Sequence, residues 1–251
     1  MRNDDFFRIS LFKNYTEKTM DPIKLNLIYS KTGLIRFTSH RDLMRMFFRV
    51  FSKIELPLRY SEGYSPHPRV TFCPPLKVGM EGMNELMEVH LTGLVETERI
   101  IENLNAALPA GMKIEGASLA GEDSPALGKL ISEVEYSVSF SELLPVTDQI
   151  VDGFMAADEV EIERVRKDKI KVVNIRRGVE RLKLLNSSGD RAKLIMVLLL
   201  EKNNRPYDVL SALSGWGSKG VAGLKWIREG FYGPDYEGRK RLLNNQIPII
   251  Y

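Results

Sequence analysis

Twice along this chain an alternating apolar run leads into an amphipathic helix, further strands, a second helix and a closing strand. That order constrains the fold more than any single residue does. Apolar residues at a spacing of two mark strands, and recurrence every three to four residues marks helices. Helices that return to one face of an antiparallel sheet make an α+β sandwich. The expectation is therefore two ferredoxin-like α/β sandwich domains with mainly antiparallel sheets. They would span 23–121 and 132–251, after a weakly ordered leader (1–22) and joined by a linker (122–131).

In the first unit Leu25, Leu27 and Tyr29 alternate with polar neighbours, which predicts a half-buried strand over 24–30 whose pairing residues 34–38 extend. Ser39, with Asp42 three residues on, caps a helix. Leu43, Met44, Phe47, Phe48, Phe51 and Ile54 form its apolar face, and Arg41, Arg45 and Arg49 form a row on the opposite one. Strands follow at 56–60, 69–72, 86–91 and 112–119, with a helix at 97–108. Residues 122–128 have the Pro/Gly/Ser content of a linker. The second unit reads as a strand at 133–140, a helix at 146–157 and strands at 160–165, 170–175, 179–185 and 194–201. A helix at 206–213, a glycine-rich break and a strand at 224–227 complete it, and the tail offers an added edge strand.

Of the 251 residues, 43% are hydrophobic and 27% charged, the balance of a folded chain. No run of about 18 apolar residues occurs, so no helical membrane span is expected. The start of the chain lacks the apolar core of a signal peptide, which points to the cytoplasm. One cysteine, Cys73, leaves no disulfide framework within the chain, and an iron–sulfur cluster normally takes several thiolates. His40, His67, Cys73 and His90 have no recognisable metal-ligand spacing, so neither metal nor other cofactor is expected.

The net charge of +3 is modest, but its distribution is uneven. Between Lys31 and Lys77 nine Lys/Arg face three Asp/Glu, whereas between Glu81 and Glu102 six acids face one arginine. Such segregation either makes one face basic or lets the sheet pair its charges across strands. Within the basic stretch, residues 59–72 combine two tyrosines, a histidine, a glycine and two prolines. Proline fixes φ and glycine admits positive φ, so this loop has a defined shape.

Three runs carry a family resemblance: Arg36-Phe37-Thr38-Ser39-His40-Arg41-Asp42-Leu43, residues 60–72, and Pro75-Leu76-Lys77-Val78-Gly79. Over about residues 24–92 the chain resembles the radical SAM-linked protein family, a bacterial group. Asn174-Ile175-Arg176-Arg177 matches that family only loosely. The resemblance implies association with a cobalamin-binding radical SAM protein, encoded nearby or fused. A radical SAM enzyme ordinarily carries a three-cysteine motif, so this chain resembles the accessory component. The family supplies no catalytic residues to carry over.

Arg36, Arg41, Arg45, Arg59, Tyr64, His67 and Arg69 are the candidate contact residues. Arginine forks match phosphate oxygens, and clustered cations over aromatics are a nucleic-acid footprint, although charged helix rows are also ordinary solvated faces. Tyr60 and Tyr64 can stack on bases or pack beneath the loop. His67 can act as a base or phosphate contact, or brace the loop. The leading expectation is a noncatalytic RNA-binding accessory protein of a radical SAM enzyme. The alternatives are an adaptor that docks on that enzyme without RNA and, by fold analogy with CRISPR repeat-processing nucleases, a metal-independent endoribonuclease.

Overall fold

The computed structural model describes residues 23–141, 144–166, 169–187, 191–234 and 240–242. The expected leader (1–22) and most of the tail lie outside the described residues.

The first unit consists of β1 (Ile23–Lys31), a 3-10 turn (Gly33–Phe37), α1 (His40–Lys53), β2 (Val70–Phe72), β3 (Glu81–Leu91), α2 (Thr97–Ala107) and β4 (Met112–Gly121). Its strands lie in the order β4-β1-β3-β2, every neighbour antiparallel. Leu25, Leu27, Tyr29, Met87 and Val89 point to one face, where α1 contributes Leu43, Phe47 and Phe51 and α2 contributes Ile100 and Leu104. The helix starts where the sequence predicts. Ser39 Oγ accepts from the Asp42 backbone N–H at 3.2 Å, and its hydroxyl donates to the Asp42 carboxylate at 2.7 Å.

A short helix, α3 (Leu127–Leu130), leads into β5 (Glu133–Ser141), α4 (Asp148–Ala156), β6 (Glu161–Arg166), β7 (Lys169–Asn174), β8 (Val179–Ser187) and β9 (Arg191–Leu199). Helices α5 (Pro206–Ser214) and α6 (Ser218–Ala222) precede β10 (Lys225–Pro234). The order here is β10-β5-β9-β8, again antiparallel throughout. Each unit thus runs from its last strand through its first and third to its second. β6 and β7 stand apart as an exposed ribbon. β11 (Lys240–Leu242) pairs with β10, opposite Tyr232.

The two units share one nine-stranded sheet. The open edge of β3 is divided between β2 at one end and β10 at the other. Ile227 lies opposite Glu81 and Arg228 opposite Gly82, the one parallel pairing among the described strands. The architecture is therefore mixed α and β, built on a large and mostly antiparallel sheet.

Three expectations meet a different outcome. Residues 34–38 do not extend β1. The Glu81 carboxylate accepts the Gly33 backbone N–H at 3.1 Å and an Arg36 N–H at 3.3 Å, which winds the segment into the 3-10 turn. β1 is buried on both faces rather than half-buried, Lys24 and Ser30 included. The cause is the connecting segment, which lies across the sheet face opposite α1. Leu127 and Ile131 pack there against Ile28, Leu86, Val134 and Phe231. Burying such side chains contributes about 1.5–3 kcal/mol each. The strand placed at 56–60 reduces to two isolated bridges, Leu58 to Leu91 and Tyr60 to Pro68.

Candidate nucleic-acid interface

The tyrosine-proline loop is a closed hairpin. The Arg69 N–H donates to the Arg59 carbonyl at 2.8 Å, and the Ser61 N–H donates to the His67 carbonyl at 2.8 Å. The His67 N–H returns a bond to Ser61 Oγ at 3.0 Å. Gly63 occupies φ 118° at the tip, a conformation few other residues adopt. Tyr64 follows it and is fully exposed, while Tyr60 at the base is half covered.

The base of the hairpin is fixed by charge. Arg59 and Arg69 reach one oxygen of Glu122, at 3.0 Å and 3.8 Å. The other oxygen lies 3.2 Å from His90 Nδ1, and His90 Nε2 lies 3.3 Å from Glu88. Buried Glu88 also accepts the Leu127 backbone N–H at 3.2 Å. Burial pushes the Glu122 carboxyl upward, but the His90 hydrogen bond and the charges of His90, Arg59 and Arg69 outweigh it. The group rests below its ordinary range. The segment that begins at Glu122 therefore docks on the first unit and aims its two arginines.

The seven candidate residues fall in three places. Arg59, Tyr64, His67 and Arg69 share the hairpin. Val70, Phe72 and Val89 pack toward α1, so Arg59, Arg69 and His90, which alternate with them, lie on the opposite face. Arg41 and Arg45 are exposed on α1, where Arg45 pairs with Asp42 at 3.3 Å. Arg36 lies on the 3-10 turn, 3.3 Å from Glu81 and with its guanidinium 4.7 Å from the Phe37 ring centre. Among the described residues no carboxylate pairs with the exposed His67 ring. His40 sets its ring edge-on to Phe72 at 5.5 Å, and burial, then the Lys31 charge, lowers its pKa.

A second polar cluster lies at the junction of β3 and β10. The Glu85 carboxylate takes two bonds from Arg228, one of them Nε to Oε1 at 2.8 Å, and Arg228 also donates to the Pro74 carbonyl at 2.7 Å. Burial, followed by the Glu85 charge, raises Tyr29 well above its ordinary value and pushes the Cys73 thiol up to about 12. Burial lowers Lys31, whose ammonium donates to the Thr38 carbonyl at 2.8 Å. Two surface clefts, of about 340 Å³ beside Lys53 and Asn103 and about 280 Å³ beside Arg181 and Tyr232, border neither cluster. Sequence reasoning missed Glu81, Glu85, Glu88, His90 and Glu122. For Glu81, Glu85 and Glu88 the signal was the acid-rich run that follows the basic one; Arg36–Glu81 joins the two runs, whereas Glu85 pairs with Arg228, and Glu122 lies beyond the run.

A family model described as "Uncharacterized protein conserved in bacteria (DUF2344)" matches residues 24–207. The chain belongs to the DUF2344 family. No curated protein matches it. The DUF2344 match runs well past the motif-bearing stretch at 24–92, from β1 to the start of α5. It takes in the hairpin, the acids of β3 and the docked segment. Among the described residues of this DUF2344 chain, no helix is long and apolar enough to cross a membrane.

Proposed function

We propose that this DUF2344 protein is a noncatalytic RNA-binding accessory protein that serves a radical SAM enzyme in the cytoplasm. The observation that carries the RNA reading is the fully exposed Tyr64 at the tip of a braced hairpin. An unpacked ring held on a fixed loop is a stacking platform for an unpaired base. Arg59 and Arg69, held by Glu122 at the hairpin base, exchange that carboxylate for backbone phosphates, while the exposed Arg41 and Arg45 offer a second cationic row on α1, across the sheet from the hairpin. Arg36, tied to Glu81 and lying over the Phe37 ring, stands on the turn apart from these rows. His67 braces the loop through its backbone, and among the described residues no carboxylate stands by its ring as acid–base work calls for. The two units, with their repeated strand order, read as ferredoxin-like sandwiches. The radical SAM partnership rests on the resemblance of residues 36–43, 60–72 and 75–79 to the radical SAM-linked family.

The test is fluorescence anisotropy with a single-stranded RNA across a salt series. Neutralising roughly four phosphates predicts a slope of log affinity against log salt of roughly −3, because each contact releases condensed counterions. Absence of binding at low salt would end the RNA reading.

A further inference from the structure

We propose a protein-docking surface on the 3-10 turn, separate from the hairpin, that takes an acidic segment carrying bulky apolar side chains. The five-residue turn Gly33–Phe37 contains Leu34, Ile35 and Phe37, yet none of its residues is buried. Ile35 packs at the margin of the first core, whereas Leu34 is 85% and Phe37 57% exposed. Val78, 52% exposed, joins them: Gly79 donates its N–H to the Arg36 carbonyl at 2.9 Å, and a methyl added at Gly79 would stand 3.7 Å from the Phe37 ring.

Single exposed apolar residues are common on any protein. This turn differs because the fold fixes it in place. Glu81, 7% exposed, holds it through the Gly33 N–H and Arg36, and pairs with Lys225 of β10 at 3.3 Å. The turn is thereby tied to both units.

The rim decides the occupant. Arg36, exposed Lys77 and Lys225, itself 61% exposed, border the patch, while the Glu81 carboxylate lies beneath, shared between two of them, and Asp208, whose charge acts on Lys77, is buried against Arg164. Lys77 lies 4.0 Å above the Tyr207 ring centre and is thereby positioned at the rim. An excess of positive charge around an apolar centre complements an acidic, amphipathic segment. RNA fits less well. Leu34 and Val78 are aliphatic and offer bases no stacking face, and the Arg36 guanidinium already occupies one face of Phe37.

The probe is a 15-residue helical peptide with leucines on one face and glutamates elsewhere. Its controls are a twin with lysine for every glutamate and a 15-nucleotide uridine RNA. Each is titrated into the full chain, with calorimetry for affinity and methyl NMR for location. The acidic peptide is expected to bind and shift the Leu34 and Val78 methyl signals, at least tenfold more tightly than its lysine twin. Leu34→Ser, or Lys225→Gln should the first fail to fold, is expected to weaken it at least fivefold. No binding, equal binding of the lysine twin, or Leu34 and Val78 responding to the RNA instead would overturn the proposal. The outcome is independent of the hairpin, so RNA binding at Tyr64 can fail while this surface stands.

Discussion

Glu85 and Arg228, 143 positions apart in sequence, form a doubly bonded ion pair buried where β3 meets β10. Burial works against the guanidinium charge, but the Glu85 charge and hydrogen bonds, with help from Tyr136, hold Arg228 firmly protonated. Gly82, opposite Arg228 in the parallel register, leaves room for this arrangement. A methyl placed there would stand 2.5 Å from the Glu85 carboxylate. One ion pair thus sits at the seam between the two units.

Removing one member strands a charge in the interior. Glu85→Leu or Arg228→Met is expected to destabilise the fold by about 3–5 kcal/mol, measured by urea unfolding. The double substitution Glu85→Leu with Arg228→Met removes both charges together and is expected to cost much less than the sum of the two single changes. Additive losses would show that the pair is not the coupling element.

Cys73 is buried, and its thiol is pushed up to about 12 by burial and then by Glu85. The thiolate is the reactive form. Native protein at pH 8 is therefore expected to resist iodoacetamide for hours, with full labelling only in denaturant. Mass spectrometry of the intact chain reads the result, and prompt native labelling would contradict the packing described around it.

Glu122 gives the docked segment an acid dependence. A carboxyl whose folded pKa is depressed contributes stability that is present above its unfolded value and is lost as pH falls through the folded one. Thermal stability is expected to rise with pH up to about 4.3, the ordinary carboxyl value. Glu122→Gln is expected to flatten that slope while freeing Arg59 and Arg69. A variant with an unchanged slope from pH 3 to 5 would place the dependence elsewhere.

Among the described residues the Tyr64 ring is fully exposed. Tyr64→Ala is expected to leave unfolding free energy within about 0.5 kcal/mol of the parent. The same change is expected to weaken single-stranded RNA binding by about 1–3 kcal/mol, the usual worth of one stacked base. Anisotropy and thermal unfolding on the same preparation separate the two effects. An unaltered RNA affinity would remove Tyr64 from the interface.

Local pattern made much of the fold readable. The Leu25–Leu27–Tyr29 alternation, the Ser39 cap and the apolar face of α1 each depend on neighbours a few residues away, and the structure follows them. What escaped depends on distant partners. The 3-10 turn exists because Glu81 recruits Gly33, and nothing near residue 33 announces that acid. The composition of 122–128 reads as a linker, but Leu127 and Ile131 find an uncovered sheet face beneath them. The candidate arginines were legible as a basic stretch. Their division between hairpin, helix and turn was not, because Leu58 and Val70 pack into the core shared with α1 while their neighbours Arg59 and Arg69 turn away to the distant Glu122.

The docked segment 122–131 also governs how the molecule can be dissected. A chain severed after Gly121 would carry the first unit's four strands and two principal helices but would leave Ile28 and Leu86 bare to water. Glu88 would lose the Leu127 N–H, and His90, Arg59 and Arg69 would lose Glu122. Such a fragment would be prone to self-associate, and its hairpin would lose the anchor that aims it. Extending the same fragment through Ile131 restores the anchor and part of the cover, while Val134, Phe231 and the Arg228 partner of Glu85 remain in the second unit. The boundary that preserves the binding surface therefore lies about ten residues beyond the last strand of the unit that bears it.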